Sequence, residues 1–188
     1  MSTELMNEYR ENYKTVITLD AETLESYDKY HARQHPHRKN QSLSWLGKTR
    51  TGVLPMLNNF LNVRTSIQRS QRKADVGDYV KYALQYQGVK RAMIERCMVV
   101  VKHYNPTKRE FDLDGVSVKS AFDAMTAYEF WADDNYKIVR PLIFTGGYDK
   151  AHPRSEICVY EITDEYPYEF VLQVVMDELE QEEINKTC

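Results

Sequence analysis

The sequence predicts a mixed α+β domain, and three observations lead there. Runs of strand length rich in apolar and β-branched residues (KTVITL, AMIERCMVVVKH, YKIVRPLIF, ICVYEI) are separated by segments whose apolar residues recur every three or four positions. Their order is strand, helices, strand, helix, strand, strand, which is not a repeating βα alternation. The chain has 188 residues, 42% apolar and 28% charged, which is enough for one core and too apolar for a disordered polymer.

The elements follow in order. Lys14 to Leu19 reads as the first strand. Asp20 to Gln41, which contains HARQHPHRKNQ, keeps no sustained period and is expected as a loop or a partly helical excursion. Pro55 suits a first helical turn, after which Met56, Phe60, Val63 and Ile67 form one face leading into Arg69, Arg72 and Lys73. A second helix is expected over 76–87, with Val80, Ala83 and Leu84 inward and Gly88 ending it. Residues 92–103 read as a strand with Met93, Cys97, Val99 and Val101 on one face. A helix is expected over 116–127, with Phe122 and Met125 apolar. A strand follows over 136–144, where Pro141 implies an edge position or a bulge, and a returning strand over 157–162. From Thr163 the chain is acidic and amphipathic, expected as strand or helix to Met176 and then a fraying acidic helix.

Charge is segregated. Residues 31–110 carry 16 basic and 4 acidic side chains, whereas residues 161–188 carry 1 and 9, inside a chain of net charge −3. A basic stretch of this length in an acidic protein points to a polyanion surface, and Arg33, Arg38, Lys39, Arg69, Arg72, Lys73, Lys108 and Arg109 are its candidate nucleic-acid contacts. Tyr27 and Tyr30, beside the basic loop, are candidates for stacking on opened bases. The histidines of HARQHPH have no cysteine or fourth ligand nearby and read as phosphate contacts rather than a zinc site. Cys97, Cys158 and Cys188 are scattered without a CxxC pair, which argues against a disulfide scaffold and fits a reducing cytoplasm. No apolar run spans a membrane, the N-terminus lacks a secretory apolar region, and neither a P-loop nor a GxSxG motif occurs.

One acidic cluster carries chemistry. Asp112 and Asp114 are two apart and expected in an extended segment with their carboxylates on one side. Lys119 and Asp123 are four apart on a helix face, and the turn FWADDN can return Asp134 toward them. Crowded carboxylates repel one another unless a cation neutralises them, and oxygen-only ligands suit Mg²⁺ or Mn²⁺. A solvated cap at Asp133–Asp134 and a surface ion pair at Lys119–Asp123 are the plainer alternatives.

The segment FDLDGVSVKSAFDAMTAYEFWADDNYKIV resembles the core motif of the RusA family of Holliday-junction resolvases. The motif is two aspartates flanking one residue, a lysine, an aspartate four later, and an acidic pair after an aromatic stretch. The resemblance is specific over residues 92–162 and loose before them. It implies a mixed β-sheet with helices on one face and a homodimeric, Mg²⁺-dependent nuclease of bacteria and their phages. Such a nuclease serves recombination and repair by making paired nicks in four-way DNA junctions. Asp112, Asp114 and Asp134 match the metal-binding catalytic aspartates, Lys119 the catalytic lysine, and Asp123 a further ligand or a residue that positions the lysine. Residues 1–162 would form the nuclease domain, with a basic DNA-binding part over 1–110 and an acidic catalytic part over 111–162. Residues 163–188 would be an acidic extension. Gly115 stands where the family has asparagine, and one extra residue separates Asp114 from Lys119. These departures define the alternatives: a RusA-like DNA-binding or regulatory protein with weakened or lost catalysis, or a nuclease acting on other branched DNA.

Overall fold

The computed structural model describes residues 3–37, 43, 51, 53–56, 62–108 and 110–187, without the side chains of 114 and 185–187. Five α-helices and four strands are found among them: α1 (Thr3–Tyr13), β1 (Lys14–Asp20), α2 (Ala21–Gln34), α3 (Ser66–Tyr86), β2 (Cys97–Asn105), α4 (Lys119–Ala127), β3 (Val139–Tyr148), β4 (Arg154–Glu161) and α5 (Tyr168–Thr187). The strands form one mixed sheet in the order β1-β4-β2-β3. β4 is antiparallel to both β1 and β2, and β3 runs parallel to β2. The α+β class expected from the sequence is therefore present.

Central β2 alternates between two cores. Cys97, Val99 and Val101 face Val80, Ala83 and Leu84 of α3 and Phe122 and Met125 of α4. Met98 and Val100 face Met6 and Tyr9 of α1 and Val171, Val174 and Val175 of α5. Helices thus cover both faces of the sheet, which corrects the expectation of helices on one face. The physical reason lies in β2 itself: every residue from Cys97 to Tyr104 is buried, and a strand buried on both sides reads as a continuous apolar run.

Local signals explain most boundaries. The segment after β1 is helical from Ala21, not a loop, because Asp20 caps it by accepting from the Thr23 N–H at 2.8 Å, and Leu24 and Tyr27 share its buried face. Of the helix expected from Pro55, residues 57–61, Phe60 among them, lie outside the described residues; Val63 is in no helix, and Ile67, in the first turn of α3 where the Thr65 hydroxyl caps the Gln68 N–H, is 80% exposed rather than on a buried face. Val80, Ala83 and Leu84 line the core as their spacing predicts, and Val76 joins them. β2 starts at Cys97, and Met93, expected on its inner face, is half exposed. Pro141 lies on edge strand β3, beside a register shift between Cys97 and Val99 of β2.

The acidic segment after Thr163 is part of this architecture. Val171, Val174 and Val175 are fully buried, and the same stripe continues as Glu178 and Glu182. Glu178 accepts from Lys14 Nζ at 2.6 Å, Arg10 Nε at 2.9 Å and the Tyr160 hydroxyl at 2.6 Å. Glu182 pairs with Lys102, whose side chain is almost completely buried. No helix among the described residues is long and apolar enough to cross a membrane.

Candidate functional site

Segment 53–56 is threaded between the sheet and the chain that leads into α4. The Leu54 N–H donates to Ser155 Oγ at 2.9 Å, and Ser155 Oγ lies 2.8 Å from His103 Nδ1, both side chains being buried. Ser155 and His103 are direct cross-strand partners of β4 and β2. Both contacts are satisfied when the Ser155 hydroxyl accepts from Leu54 and donates to a neutral imidazole. Burial lowers the His103 pKa to about 4, which keeps the ring neutral. Met56 then bridges Val116, and the Ser117 N–H donates to the Pro55 carbonyl at 2.9 Å. Phe111 meets His103 edge-on at 5.2 Å, which anchors the chain immediately before Asp112.

This network makes a pH prediction. The folded His103 pKa of about 4 lies below its ordinary 6.5, so the unfolded chain binds the extra proton. The stabilisation is complete above about pH 6.5 and is lost as pH falls toward 4. Urea unfolding should show about 2 kcal/mol less stability at pH 5 than at pH 7. His103→Gln should flatten that slope. Burial opposes the Glu178 charge, but Lys14 and Tyr160 hold its carboxyl below the usual range, so its contribution changes only at lower pH. Burial raises Glu161, which works in the opposite direction in both proteins. Equal slopes in wild type and His103→Gln would refute the assignment to His103.

Asp112 and Asp114 do not lie on one extended segment as expected. The backbone is extended at Asp112 (φ −78°, ψ 121°) and then turns through a 3₁₀ helix over Leu113–Gly115. Asp112 is exposed and precedes that turn, and the Gly115 N–H donates to its carbonyl at 3.0 Å. The Asp114 carboxylate is outside the described atoms. Residues 116–118 connect this turn to Lys119, which is the first residue of α4.

Lys119, Asp123 and Asp134 come together. Lys119 Nζ donates to Asp123 Oδ1 at 2.6 Å, one turn along α4, and to Asp134 Oδ2 at 2.9 Å, fifteen residues on. Core aromatics close the return path. Trp131 and Phe130 are buried, Trp131 packs edge-on against Phe122 of α4 at 5.1 Å, and its indole N–H donates to Thr126 Oγ1. Asp133 shapes the turn from within, accepting from the Asp134 N–H at 2.8 Å and from Asn135 Nδ2 at 2.6 Å. These two contacts lower its pKa, Asn135 first. Hydrogen bonds from Lys119 to Asp123 and then Asp134 raise the lysine, so its ammonium keeps its charge over the working pH range.

Gly115 has a local account. A Cβ there would lie 2.8 Å from Met56 Cε, the free end of a flexible side chain, and the backbone is not in the left-handed region. Gly115→Asn, which installs the residue of the resembled family, is expected to fold with stability within about 1 kcal/mol of wild type, with Met56 moving aside. Urea titration checks this; a larger loss would mean Met56 cannot yield.

The expected nucleic-acid contacts are dispersed. Arg33 sits near the end of α2; Arg69 and Lys73 are exposed and Arg72 half-buried on the first turns of α3; Lys108 is exposed ahead of Asp112. Arg38, Lys39 and Arg109 lie outside the described residues. Tyr27 is buried against Tyr79 and Tyr82 and so presents no free face, while Tyr30 is 44% exposed. His31 near the end of α2 and His35, which follows it, meet at 4.6 Å with their rings tilted by 47°. Tyr148, 45% exposed beneath the Lys108 ammonium, was not singled out by sequence; the cue would have been an aromatic directly after the Gly146–Gly147 pair.

Among the described residues no group of three or more His, Cys, Asp or Glu side chains is arranged to hold a metal ion. The chemistry of the acidic set nevertheless fits a hard divalent cation, since Asp112, Asp123 and Asp134 offer oxygens alone. No family model matches the chain, and no curated protein matches it.

Proposed function

We propose that the chain is a RusA-like, divalent-metal-dependent endonuclease that nicks branched DNA, with four-way junctions as substrate. One observation carries this reading: the Lys119 ammonium joins Asp123 of α4 to Asp134 of the returning turn. The helical and turn halves of the acidic motif, distant in sequence, thereby share one exposed site. We further place the protein in the cytoplasm as a homodimer, with one site per subunit facing the two opposed strands of a junction. Buried, unpaired Cys97 and Cys158 suit that reducing compartment.

In this reading Asp112, Asp114 and Asp134 would hold Mg²⁺ or Mn²⁺, with Asp123 beside them. When bound, the ion supplies Lewis-acid polarisation of the phosphate and a more acidic water. Lys119 stands as a permanent positive charge at the site, able to stabilise the negative charge that grows on the phosphate oxygens or to orient the attacking water. Asp123 and Asp134 restrain the flexible lysine stem from two sides, and Asp133 fixes the turn that presents Asp134. In-line attack by water would leave a 5′-phosphate and a 3′-hydroxyl.

The deciding experiment incubates the full chain with a synthetic four-way junction, a flap and a linear duplex, with Mg²⁺ or with EDTA. Paired junction nicks in Mg²⁺ only are expected. Tight junction binding without nicking would replace the enzyme reading by that of a binding protein. Junction affinity should also fall steeply with salt, and Arg69→Ala or Lys73→Ala should each reduce the slope of log K against log salt by about 0.9. An unchanged slope would remove that residue from the interface.

A further inference from the structure

A groove of about 300 Å³ opens beside Asp112, between the chain that follows β2 and the end of β3. Lys108, Glu110, Phe111 and Leu113 form one wall, and Gly147 and Tyr148 the other. Phe111 and Leu113 flank Asp112 in sequence, so the groove is lined by the neighbours of one candidate ligand.

Its construction is specific. Gly146 must be glycine, because a Cβ there would lie 2.0 Å from the His103 carbonyl oxygen where β3 approaches β2. A Cβ on Gly147 would meet nothing, so that stretch of the wall is bare backbone facing open space. Tyr148 carries a large ring that is 45% exposed, and the Lys108 ammonium lies 5.5 Å from the ring centroid. A flat aromatic face, a neighbouring ammonium and an unobstructed floor match a nucleotide: stacking for the base, positive charge for its phosphate. Glu110 decides which part enters, since its carboxylate repels a phosphate inside the groove but tolerates a base. The volume lies at the small end of ligand-pocket sizes, which suits a single nucleotide and excludes a duplex.

We propose that this groove seats one unpaired base of the strand being cut, stacked on Tyr148, with Lys108 meeting the adjoining phosphate. The inference rests on the DNA-nicking reading and adds to it a reason to prefer branched over linear DNA. Only at a branch is a base free to leave the stack at small cost.

The test measures binding in EDTA, where nothing is cut, by fluorescence anisotropy with a four-way junction and a linear duplex. Tyr148→Ala is expected to weaken junction binding about tenfold and duplex binding less than about twofold, while Tyr148→Phe keeps wild-type affinity. Lys108→Ala, which removes the ammonium beside the Tyr148 ring, should weaken junction binding more than duplex binding as well. A 2-aminopurine at the branch point should be quenched by wild type and not by Tyr148→Ala. Wild-type junction binding in Tyr148→Ala, or an equal loss on junction and duplex, overturns the groove. If wild type nicks junctions while these variants bind normally, the groove fails and the nuclease reading stands. If wild type binds junctions in a Tyr148-dependent way but never nicks in Mg²⁺, the nuclease reading fails and the groove stands. A chain that binds no junction overturns both.

Discussion

Junction nicking is expected to fall about a hundredfold to a thousandfold in Lys119→Met and in Asp134→Asn, with folding intact. Methionine keeps the apolar stem of the lysine and removes only its charge. Asparagine keeps the shape of Asp134 and removes the anionic oxygen that bonds Lys119 at 2.9 Å. The two variants should therefore be nearly as impaired together as apart, because each breaks the same constellation. Asp123→Asn is expected to be milder, about tenfold, since Asp134 still restrains the lysine. The Lys119 side chain is 64% exposed, so its ion pairs contribute at most about 1 kcal/mol to stability, and urea midpoints should barely move. Initial rates on a labelled junction, beside unfolding curves for each variant, separate catalysis from folding. Wild-type nicking by Lys119→Met would reduce the cluster to a solvated surface pair.

The second large effect concerns α5. Val174 is fully buried among Met98, Val100 and Tyr9, so Val174→Asp would place a carboxylate in the second core without a partner. That is expected to cost more than about 4 kcal/mol, a large part of the stability of an ordinary domain, whereas Val174→Ala should cost about 2. Deleting residues from Thr163 onward should be worse. It strips α5 from one face of the sheet and exposes the apolar residues Met98, Val100 and Cys158 that α5 covers with α1. Near-UV circular dichroism and the cooperativity of urea unfolding provide the measurement. A truncated chain that still unfolds cooperatively at wild-type stability would make α5 an appendage.

What was legible in the sequence was local. The β-branched run at Lys14–Leu19, the inward face Val80–Leu84, the i,i+4 relation of Lys119 to Asp123 and the aromatic stretch before Asp133–Asp134 each depend on short-range periodicity, and each is found where its spacing puts it. The fold class follows from their order. The run Met98–Val101 also held the signature of two-sided burial, but reading its alternate residues as one inner face hid the second core. Asp20 held a helix start that the histidine-rich run downstream obscured.

Tertiary structure decided what depends on partners far along the chain. The Met56 spacing looked helical, yet Met56 bridges Val116, because a backbone segment threaded beside the sheet satisfies its polar groups across the fold rather than within a turn. The residues after Thr163 read as an acidic extension ending in a fraying helix because sequence records charge without recording what stands opposite it. Glu178 and Glu182 face Lys14, Arg10 and Lys102, and only folding brings β1, α1 and β2 beside the helix. The return of Asp134 to Lys119 is of the same kind: the residues were in the sequence, but their meeting requires Trp131 and Phe130 to be drawn into the core, a consequence of burial and not of spacing.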